Sequence, residues 1–293
     1  MSSGLGRLIS LLELTTNDFK DFEGRPLDLG LRQLYGGLIF AQAISAAVQS
    51  QNKWCDLKSL TYASAMFLNP GDTKHLICYE VEIIKKGKSF DFIQVKAIQN
   101  QVELMRLQAN FHKEEKGFAH QIPKLASITP PEELISEYEL IKQMSHLIPD
   151  SIKAYWLAEP AFDIRPLKPL NPFRGSNEEP NHISWFKLFD SKTQLNPFLC
   201  YALLAYISDH NLLPCALRPH NKGFLEKDMQ VATINHTIWF HSLPNLNEWE
   251  VFSIESSVAK NALALSNGHF FDTMGQLVAT VTQEGLIRQH ESH

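Results

Sequence analysis

Residues 198–211 read FLCYALLAYISDHN, and this stretch decides how the rest of the chain is interpreted. Its first nine residues are almost entirely apolar and predict a helix buried in a core. Asp209 follows near the C-terminal end of that run. A carboxylate at the edge of a core is costly unless it is paired or used, so Asp209 is a candidate functional group. The alternative is an ordinary solvent-exposed residue at a helix end.

Outward from this helix, the chain repeats one order of segments. The second half continues with strand-like segments at 231–241, 250–257, 262–271 and 276–287. The first half has an apolar helix at 35–48 and strand-like segments at 64–68, 76–84, 89–99 and 102–111. One long helix followed by four antiparallel strands, twice, predicts an α+β fold in which a sheet wraps a central helix in each half.

The domain boundaries follow from this repeat. We expect a first domain at 1–115, a linker at 116–150 and a second domain at 151–293. The linker is rich in proline and acidic residues and predicts a surface connection with one short helix at 131–144. When the two halves are laid on each other, Asn110 falls near Gln283.

Composition narrows the class of protein. The chain has 293 residues, of which 20% are charged, and a formal net charge of −5, which argues against nucleic acid or an anionic membrane as its main partner. No apolar run approaches the ~20 residues that span a bilayer. The N-terminus lacks the pattern of a secretory signal, the C-terminus lacks a peroxisomal signal, and the four cysteines form no CxxC pair. These features predict a cytoplasmic protein with reduced thiols.

Two later strand segments each carry a polar side chain of interest, Thr233 and Gln283. Threonine is common in strands, and a strand glutamine is usually exposed, so each residue alone is compatible with a structural role. In a wrapped-helix fold, however, the end of the helix faces the strands. The carboxylate of Asp209, the hydroxyl and the amide could then together hold and activate one water molecule.

Other motifs are weaker or absent. The histidines do not form HExxH, and there is no GxSxG elbow and no Walker pattern, so we expect no metal and no cofactor. Gly36 and Gly37 open the first helix and allow close approach of a neighbour or ligand. Lys86 and Lys88 lie in a basic turn, which is either solvated or in contact with an anionic ligand group such as a phosphate.

These motifs resemble the type II acyl-CoA thioesterases, the TesB-like double-hotdog enzymes. The similar first-half segments are RQLYGGLIFAQA at 32–43, FLNPGD at 67–72 and KGKSF at 86–90. The similar second-half segments are YISD at 206–209, GFLE at 223–226, ATINH at 232–236, WFH at 239–241 and QEGLIR at 283–288. The resemblance runs nearly end to end, with several separated motifs in the same order.

The resemblance implies two fused hotdog domains and hydrolysis of acyl-CoA to free acid and CoA. It implies that Asp209, Thr233 and Gln283 form the catalytic trio and that the chain forms a homo-oligomer. From the residues themselves we expect Gly36, Gly37, Lys86 and Lys88 to contact substrate. The first half departs from the family pattern at 61–66 and 85–88, which affects substrate preference more than the reaction.

Two alternatives remain open. A hotdog hydratase acting on enoyl-CoA would have a histidine five residues after the aspartate, where this chain has Pro214. A protein that binds an acyl thioester without hydrolysing it would lack the trio, which is intact here.

Overall fold

The computed structural model describes residues 3–30, 34–51, 58–123, 125 and 127–290. The helices are α1 (Gly4–Leu12), α2 (Gly36–Gln51), α3 (Glu137–Gln143), α4 (Asp150–Trp156), α5 (Pro197–Ser208) and α6 (Leu212–Leu217). The first-half strands are β1 (Thr15–Thr16), β2 (Asp21–Gly24), β3 (Lys58–Phe67), β4 (Ile77–Lys86), β5 (Phe90–Gln99) and β6 (Val102–Lys113). The second-half strands are β7 (Phe162–Pro166), β8 (Asn181–Leu188), β9 (Met229–Phe240), β10 (Glu250–Lys260), β11 (Leu263–Asp272) and β12 (Leu277–Gln289).

The strands form one antiparallel sheet in the order β1-β2-β4-β5-β6-β3-β9-β12-β11-β10-β8-β7. Read from the central β3–β9 pair outward, the order in one half repeats that in the other. Each half therefore has six strands rather than the four predicted, because β1, β2, β7 and β8 were missed. The missed strands precede the central helix of their half, and β1 is only two residues long, too short for an alternating pattern.

The two predicted central helices, α2 and α5, pack against each other and are buried along most of their length. Their N-termini are built differently. α5 begins with Pro197, and the Asn196 side chain accepts a hydrogen bond from the Leu199 N–H at 3.0 Å. α2 begins with the pair Gly36-Gly37, and the Gly37 N–H donates to a side chain of the other half, Asp209, at 2.8 Å.

Each half has a β-bulge at a matching position. On β9, Asn235 pairs with Glu284 and Thr233 with Gly285, so Ile234 is the extra residue. On β3, the corresponding extra residue is Thr61, because its neighbours on either side pair with consecutive residues of β6. These bulges give a structural register for comparing the two halves.

The connection between the halves contains more structure than predicted. The single expected helix at 131–144 is a 3₁₀ turn, Pro131–Glu133, followed by the separate helix α3, and α4 follows across the expected boundary at 150. The segment is fastened to the second half: the Arg165 guanidinium donates to the Pro131 carbonyl oxygen at 2.8 Å, and the Trp185 indole N–H donates to the Thr129 carbonyl oxygen at 2.9 Å. It forms a wall of the cleft described below.

Candidate active site

The side chains of Asp209, Thr233 and Gln283 meet at one point, although 74 residues separate the first from the last. Asp209 is the C-cap of α5, Thr233 lies beside the bulge on β9, and Gln283 is fully buried on β12. The helix end faces the two adjacent strands, as expected for a sheet that wraps a helix.

The three side chains are directly hydrogen bonded. The Gln283 Nε2 amide donates to Asp209 Oδ1 and, at 2.8 Å, to Thr233 Oγ1. The Thr233 hydroxyl lies 3.5 Å from Asp209 Oδ1. One carboxylate oxygen of Asp209 is thus held by both partners, and both N–H groups of the Gln283 amide are used within the trio.

The other carboxylate oxygen is held by the first half of the chain. The backbone N–H of Gly37, in the first turn of α2, donates to Asp209 Oδ2 at 2.8 Å. A carboxylate at the C-terminal end of its own helix is electrostatically unfavourable, whereas one at the N-terminus of another helix is stabilised. The N-terminus of α2 therefore compensates for the position of Asp209 on α5. The sequence analysis predicts that Gly37 contacts substrate, and in the structure its N–H donates to this carboxylate.

Gly36 lies next to the trio. A Cβ atom at this position would be 3.4 Å from both Asp209 Oδ2 and Thr233 Oγ1 and 3.5 Å from the Phe67 ring. The absence of a side chain here keeps the space beside the carboxylate open. Gly36 also lines a cleft of about 1410 Å³, together with Asp209 and Thr233.

The cleft is large and mostly apolar on one side. Its apolar lining comes from α1, from the N-terminal part of α2 and from the segment that joins the halves, including Leu8, Leu11, Ile39, Ile141, Met144, Ile152 and Trp156. Such a lining suits a long hydrocarbon chain.

The predicted basic turn lies elsewhere. Lys86 and Lys88 sit in the β4–β5 connection and do not line this cleft. That connection is joined through Phe90 and His112 to Ser59, near the start of β3. The trio lies beyond the other end of β3, where Met66 pairs with Asn235. The structure therefore brings the trio, Gly36 and Gly37 together, but not the two lysines.

A buried histidine that sequence reasoning did not assign to the site supports the end of α5. His236 Nε2 lies 2.9 Å from Ser208 Oγ, which donates to the Ala205 carbonyl oxygen at 2.8 Å. Ser208 then accepts from a protonated Nε2. Burial lowers the pKa of His236 to about 4, so the ring is neutral near pH 7. This bond fixes the residue that immediately precedes Asp209. Strand alternation could have indicated that His236 points inward.

Two tyrosines hold the helix ends together on the cleft side. The Tyr35 hydroxyl donates to the Tyr206 carbonyl oxygen at 3.2 Å, and the two rings pack edge to face with centroids 5.2 Å apart. Burial raises the pKa of Tyr35 well above its ordinary value, so this hydroxyl remains a donor. Tyr35 precedes the glycine pair, so the contact fixes the start of α2 against the last turns of α5.

A polar cluster joins α3 to the segment that follows Asp209. The Glu137 carboxylate lies 2.9 Å from His210 Nε2 and accepts from Asn211 Nδ2 at 3.2 Å. Burial alone would lower the pKa of His210, but the Glu137 charge raises it above its ordinary value. Burial would raise the pKa of Glu137, but His210 chiefly brings it below its ordinary value. The cluster fastens one wall of the cleft beside Asp209.

The first half has no matching trio among its described residues. Counted from the two bulges, Thr233 corresponds to Leu60, and Gln283, which pairs with His236, corresponds to Ala109, which pairs with Ala63. The sequence overlay that placed Asn110 opposite Gln283 was therefore wrong by one residue. A one-residue error in a strand exchanges one face for the other.

Gln42, a buried polar residue of α2, has a structural role. Its amide donates to the Leu11 and Arg25 carbonyl oxygens at 2.8 and 2.9 Å and accepts from the Tyr79 hydroxyl at 2.6 Å. Within the described ranges, no cluster of three or more His, Cys, Asp or Glu residues could hold a metal ion. Over the same ranges, no helix is long and apolar enough to cross a membrane.

Solved structures with the same architecture define the class of fold. The tesB protein of Mycobacterium avium subspecies paratuberculosis matches with a TM-score of 0.77 at 24% identity, covering 98% of this chain and 100% of that one. A conserved protein with hot dog fold from Alicyclobacillus acidocaldarius matches with a TM-score of 0.75 at 14% identity, covering 97% and 99%. The chain is a double-hotdog α+β protein.

Sequence comparison defines the family. The family description "Acyl-CoA thioesterase N-terminal domain" matches residues 26–112, and "Acyl-CoA thioesterase" matches residues 156–286. Acyl-CoA thioesterase 2 of Haemophilus influenzae is 40% identical over 291 residues, which cover 99% of this chain and 100% of that protein. The chain therefore belongs to the acyl-CoA thioesterase family, a class of acyl-CoA thioester hydrolases.

Proposed function

We propose that this chain hydrolyses fatty acyl-CoA to free fatty acid and CoA by direct attack of an activated water, with Asp209, Thr233 and Gln283 as the catalytic residues. The observation that carries the proposal is the Asp209 carboxylate, which is held by Gln283 and by the Gly37 N–H at the edge of an apolar cleft. Its geometry suits a base that takes a proton from water.

The reaction proceeds as follows. Thr233 and Gln283 hold the water beside the thioester carbonyl carbon at ~3 Å, and Asp209 accepts its proton as the oxygen adds to that carbon. The C–S bond then breaks, the proton returns to the sulfur, and CoA leaves as a thiol. This sequence needs no metal, no cofactor and no acyl-enzyme.

The substrate and its surroundings follow from the same site. The apolar cleft lining supports a medium or long acyl chain as the group released, with Gly36 leaving room for the reacting carbonyl.

We propose that the chain has a first domain at 1–115, a linker at 116–150 and a second domain at 151–293. We propose further that it acts in the cytoplasm without nucleic acid or membrane partners. A fractionation of cells that express a tagged chain tests the location.

We also propose that the double-hotdog unit forms a homo-oligomer. On the sheet face that points away from the helices, Tyr62 and Trp239 pack with ring centroids 5.7 Å apart, and Trp239 and Met66 are 38% and 56% exposed. An exposed apolar face at the junction of the halves suits a contact with a second copy. Light scattering of the purified protein measures the number of copies, and a monomer at high concentration would contradict this proposal.

The central test is hydrolysis. We expect release of free thiol from medium- or long-chain acyl-CoA, with a rate that varies over a panel of acyl lengths. Asp209→Asn keeps the shape but removes the base, and we expect a rate lower by roughly 10²–10⁴. Asp190→Asn, in an exposed turn, is the matched control and should retain full activity. Near wild-type turnover by Asp209→Asn would reject the assignment of the base.

An isotope experiment tests the direct attack of water. In a single turnover in ¹⁸O-water, direct attack places the label in the fatty acid. If Asp209 instead attacked the carbonyl and formed an anhydride that water opened at the Asp209 carboxyl carbon, the label would appear in the Asp209 side chain. Incubation with an enoyl-CoA tests the hydratase alternative. The chain has Pro214 where that reaction would place a histidine, so we expect no hydration.

A further inference from the structure

The cleft has a charged end opposite its apolar side. Beyond Thr233, the lining continues along the first residues of β9 to Gln230 and Lys227, and it includes His290 at the end of β12. Lys227 and His290 are exposed at this end. A ligand that lies along the cleft therefore has one end among apolar side chains and the other among polar and basic groups.

Two of the basic groups are held by one amide. Gln230 Oε1 accepts from Arg288 Nη1 at 3.4 Å and lies 3.2 Å from His290 Nε2. Gln230 and Arg288 are directly paired across β9 and β12, so their side chains project on the same side of the sheet. Lys227 lies three residues before Gln230 and makes no ion pair within the described ranges.

The neighbouring acids are engaged by another lysine. Glu226 and Asp228 both bind Lys222 Nζ, at 3.0 and 2.8 Å. Asp228 also accepts from the Gln289 side chain at 2.8 Å. Three cations thus face two carboxylates in this cluster. Lys222 is paired with both acids, whereas Lys227, which lines the cleft, and Arg288, which is bonded to the cleft residue Gln230, are exposed.

On the basis of the proposed function, we propose that Lys227, Arg288 and His290 bind the phosphate groups of CoA. The strand from Thr233 back to Met229 covers about 13 Å, and Lys227 lies beyond it. The extended arm that separates the sulfur of CoA from its phosphates has a comparable length. A thioester carbonyl at Asp209 would place the phosphates at this basic cluster and the acyl chain among the apolar side chains.

This site replaces Lys86 and Lys88 as the phosphate contact. Those two lysines lie in the β4–β5 connection, outside the cleft. The double variant Lys86→Gln/Lys88→Gln removes the same charge as Lys227→Gln/Arg288→Gln. It is therefore the matched control, and it also tests the alternative location.

The experiment compares two thioesters with the same acyl chain, one on CoA and one on N-acetylcysteamine, which has no phosphates. For Lys227→Gln/Arg288→Gln we expect KM for acyl-CoA to rise about tenfold with kcat retained, because charge-assisted contacts to phosphate are lost. KM for the N-acetylcysteamine thioester should not change. The difference between wild type and variant should shrink in high salt, because salt screens exposed charges.

Other outcomes separate the two proposals. Equal effects on both thioesters, or no effect on either, would overturn the phosphate site while leaving the hydrolase proposal intact. A selective rise in KM for acyl-CoA in Lys86→Gln/Lys88→Gln would also overturn it and place the phosphates at the β4–β5 connection. Titration calorimetry with free CoA measures the contact without any reaction. A wild type that binds CoA more tightly than the variant but hydrolyses neither thioester would support the phosphate site and reject the proposed function.

Discussion

The two halves of the chain share a six-strand order and a central helix, but their polar residues differ at matching positions. Where β9 and β12 present Thr233 and Gln283, β3 and β6 present Leu60 and Ala109, both buried. Under the proposed mechanism, the half with polar residues at these inward positions carries the reactive groups, and the half with apolar residues there does not.

The N-termini of the two central helices, α2 and α5, also differ. α5 is capped by its own Asn196, whereas α2 begins with glycines and gives the Gly37 N–H to Asp209 of the other half. The second half supplies the proposed catalytic side chains, and the first supplies the helix terminus that holds the carboxylate. The site is therefore composite, and the first half does more than form a scaffold.

The largest loss of activity is expected from a substitution that makes the second half resemble the first. Gln283→Ala installs the residue found at the matching position and removes the donor to Asp209 and Thr233. We expect kcat to fall by roughly 10²–10³, because a positioned hydrogen-bond donor is lost. A thiol-release assay measures the change, and retention of more than half the activity would contradict the role of Gln283.

The reverse substitution, at the matching position of the first half, is the control for Gln283→Ala. Ala109→Gln places an amide at a fully buried position whose neighbours include the apolar Leu107 and Phe111. We expect no second site and a loss of roughly 1–3 kcal/mol in the free energy of unfolding, because a buried polar group is left without partners. Denaturant titration measures that loss.

The next largest loss of activity is expected from a substitution at the start of α2. A Cβ atom on Gly37 would lie 2.7 Å from the Tyr35 ring and 2.8 Å from the Tyr206 carbonyl oxygen. Gly37→Ala should therefore shift α2 away from Asp209, with activity lower by about tenfold and unfolding free energy lower by about 1–3 kcal/mol.

Gly36→Ala is the matched variant, because its Cβ would make contacts of 3.4 Å that require no backbone shift. We expect it to lower kcat without changing the melting temperature. Equal stability losses in the Gly36 and Gly37 variants would show that the start of α2 is not fixed by the contacts described here.

A smaller, pH-dependent effect on stability is expected from the Glu137–His210 pair, where α3 joins the second half. The raised pKa of His210 adds stability that is fully present below pH 6.5 and is lost as pH rises through the folded pKa. The lowered pKa of Glu137 adds stability that is present above pH 4.5 and is lost as pH falls through the folded pKa. The ion pair between Glu137 and His210 therefore contributes its full stability between pH 4.5 and 6.5.

Glu137→Gln removes the charge but keeps the shape. Its melting temperature should lie furthest below that of wild type between pH 4.5 and 6.5 and should approach it at higher pH. Activity on long-chain substrates should fall only a few-fold, because α3 forms a wall of the cleft and takes no part in the reaction. A difference that does not vary with pH would exclude the Glu137–His210 charge pair as its cause.

The smallest effect on activity is expected at the start of α5. Asn196→Ala removes a self-contained cap and should cost about 1 kcal/mol of unfolding free energy. Because this helix start contacts no catalytic residue, kcat should be unchanged. Loss of activity without loss of stability would mean that the N-terminus of α5 has a second role.

Much of the fold could be predicted because its signals are local. The apolar runs at α2 and α5 and the alternating strands after them are visible in the sequence, and their repetition indicated two similar halves. The strands β1, β2 and β7 were missed because segments of two to five residues carry little periodicity. β8 was missed because its buried face includes the polar His182 and Ser184. The helix α4 was missed because it has only seven residues, of which Ile152 alone is buried.

The sequence alone determined which residues were worth asking about: a carboxylate after an apolar helix, and a hydroxyl and an amide on later strands. It could not determine how they meet, because Gln283 reaches Asp209 through strand pairing over 74 residues. Only the tertiary structure decided that a glycine N–H from the other half holds the carboxylate and that Lys86 and Lys88 lie away from the cleft. It also decided that Leu60 and Ala109 occupy the first-half positions that match Thr233 and Gln283. The physical reason is that hydrogen bonds and charge contacts depend on distances of a few ångström, which strand register and helix packing set and local sequence does not.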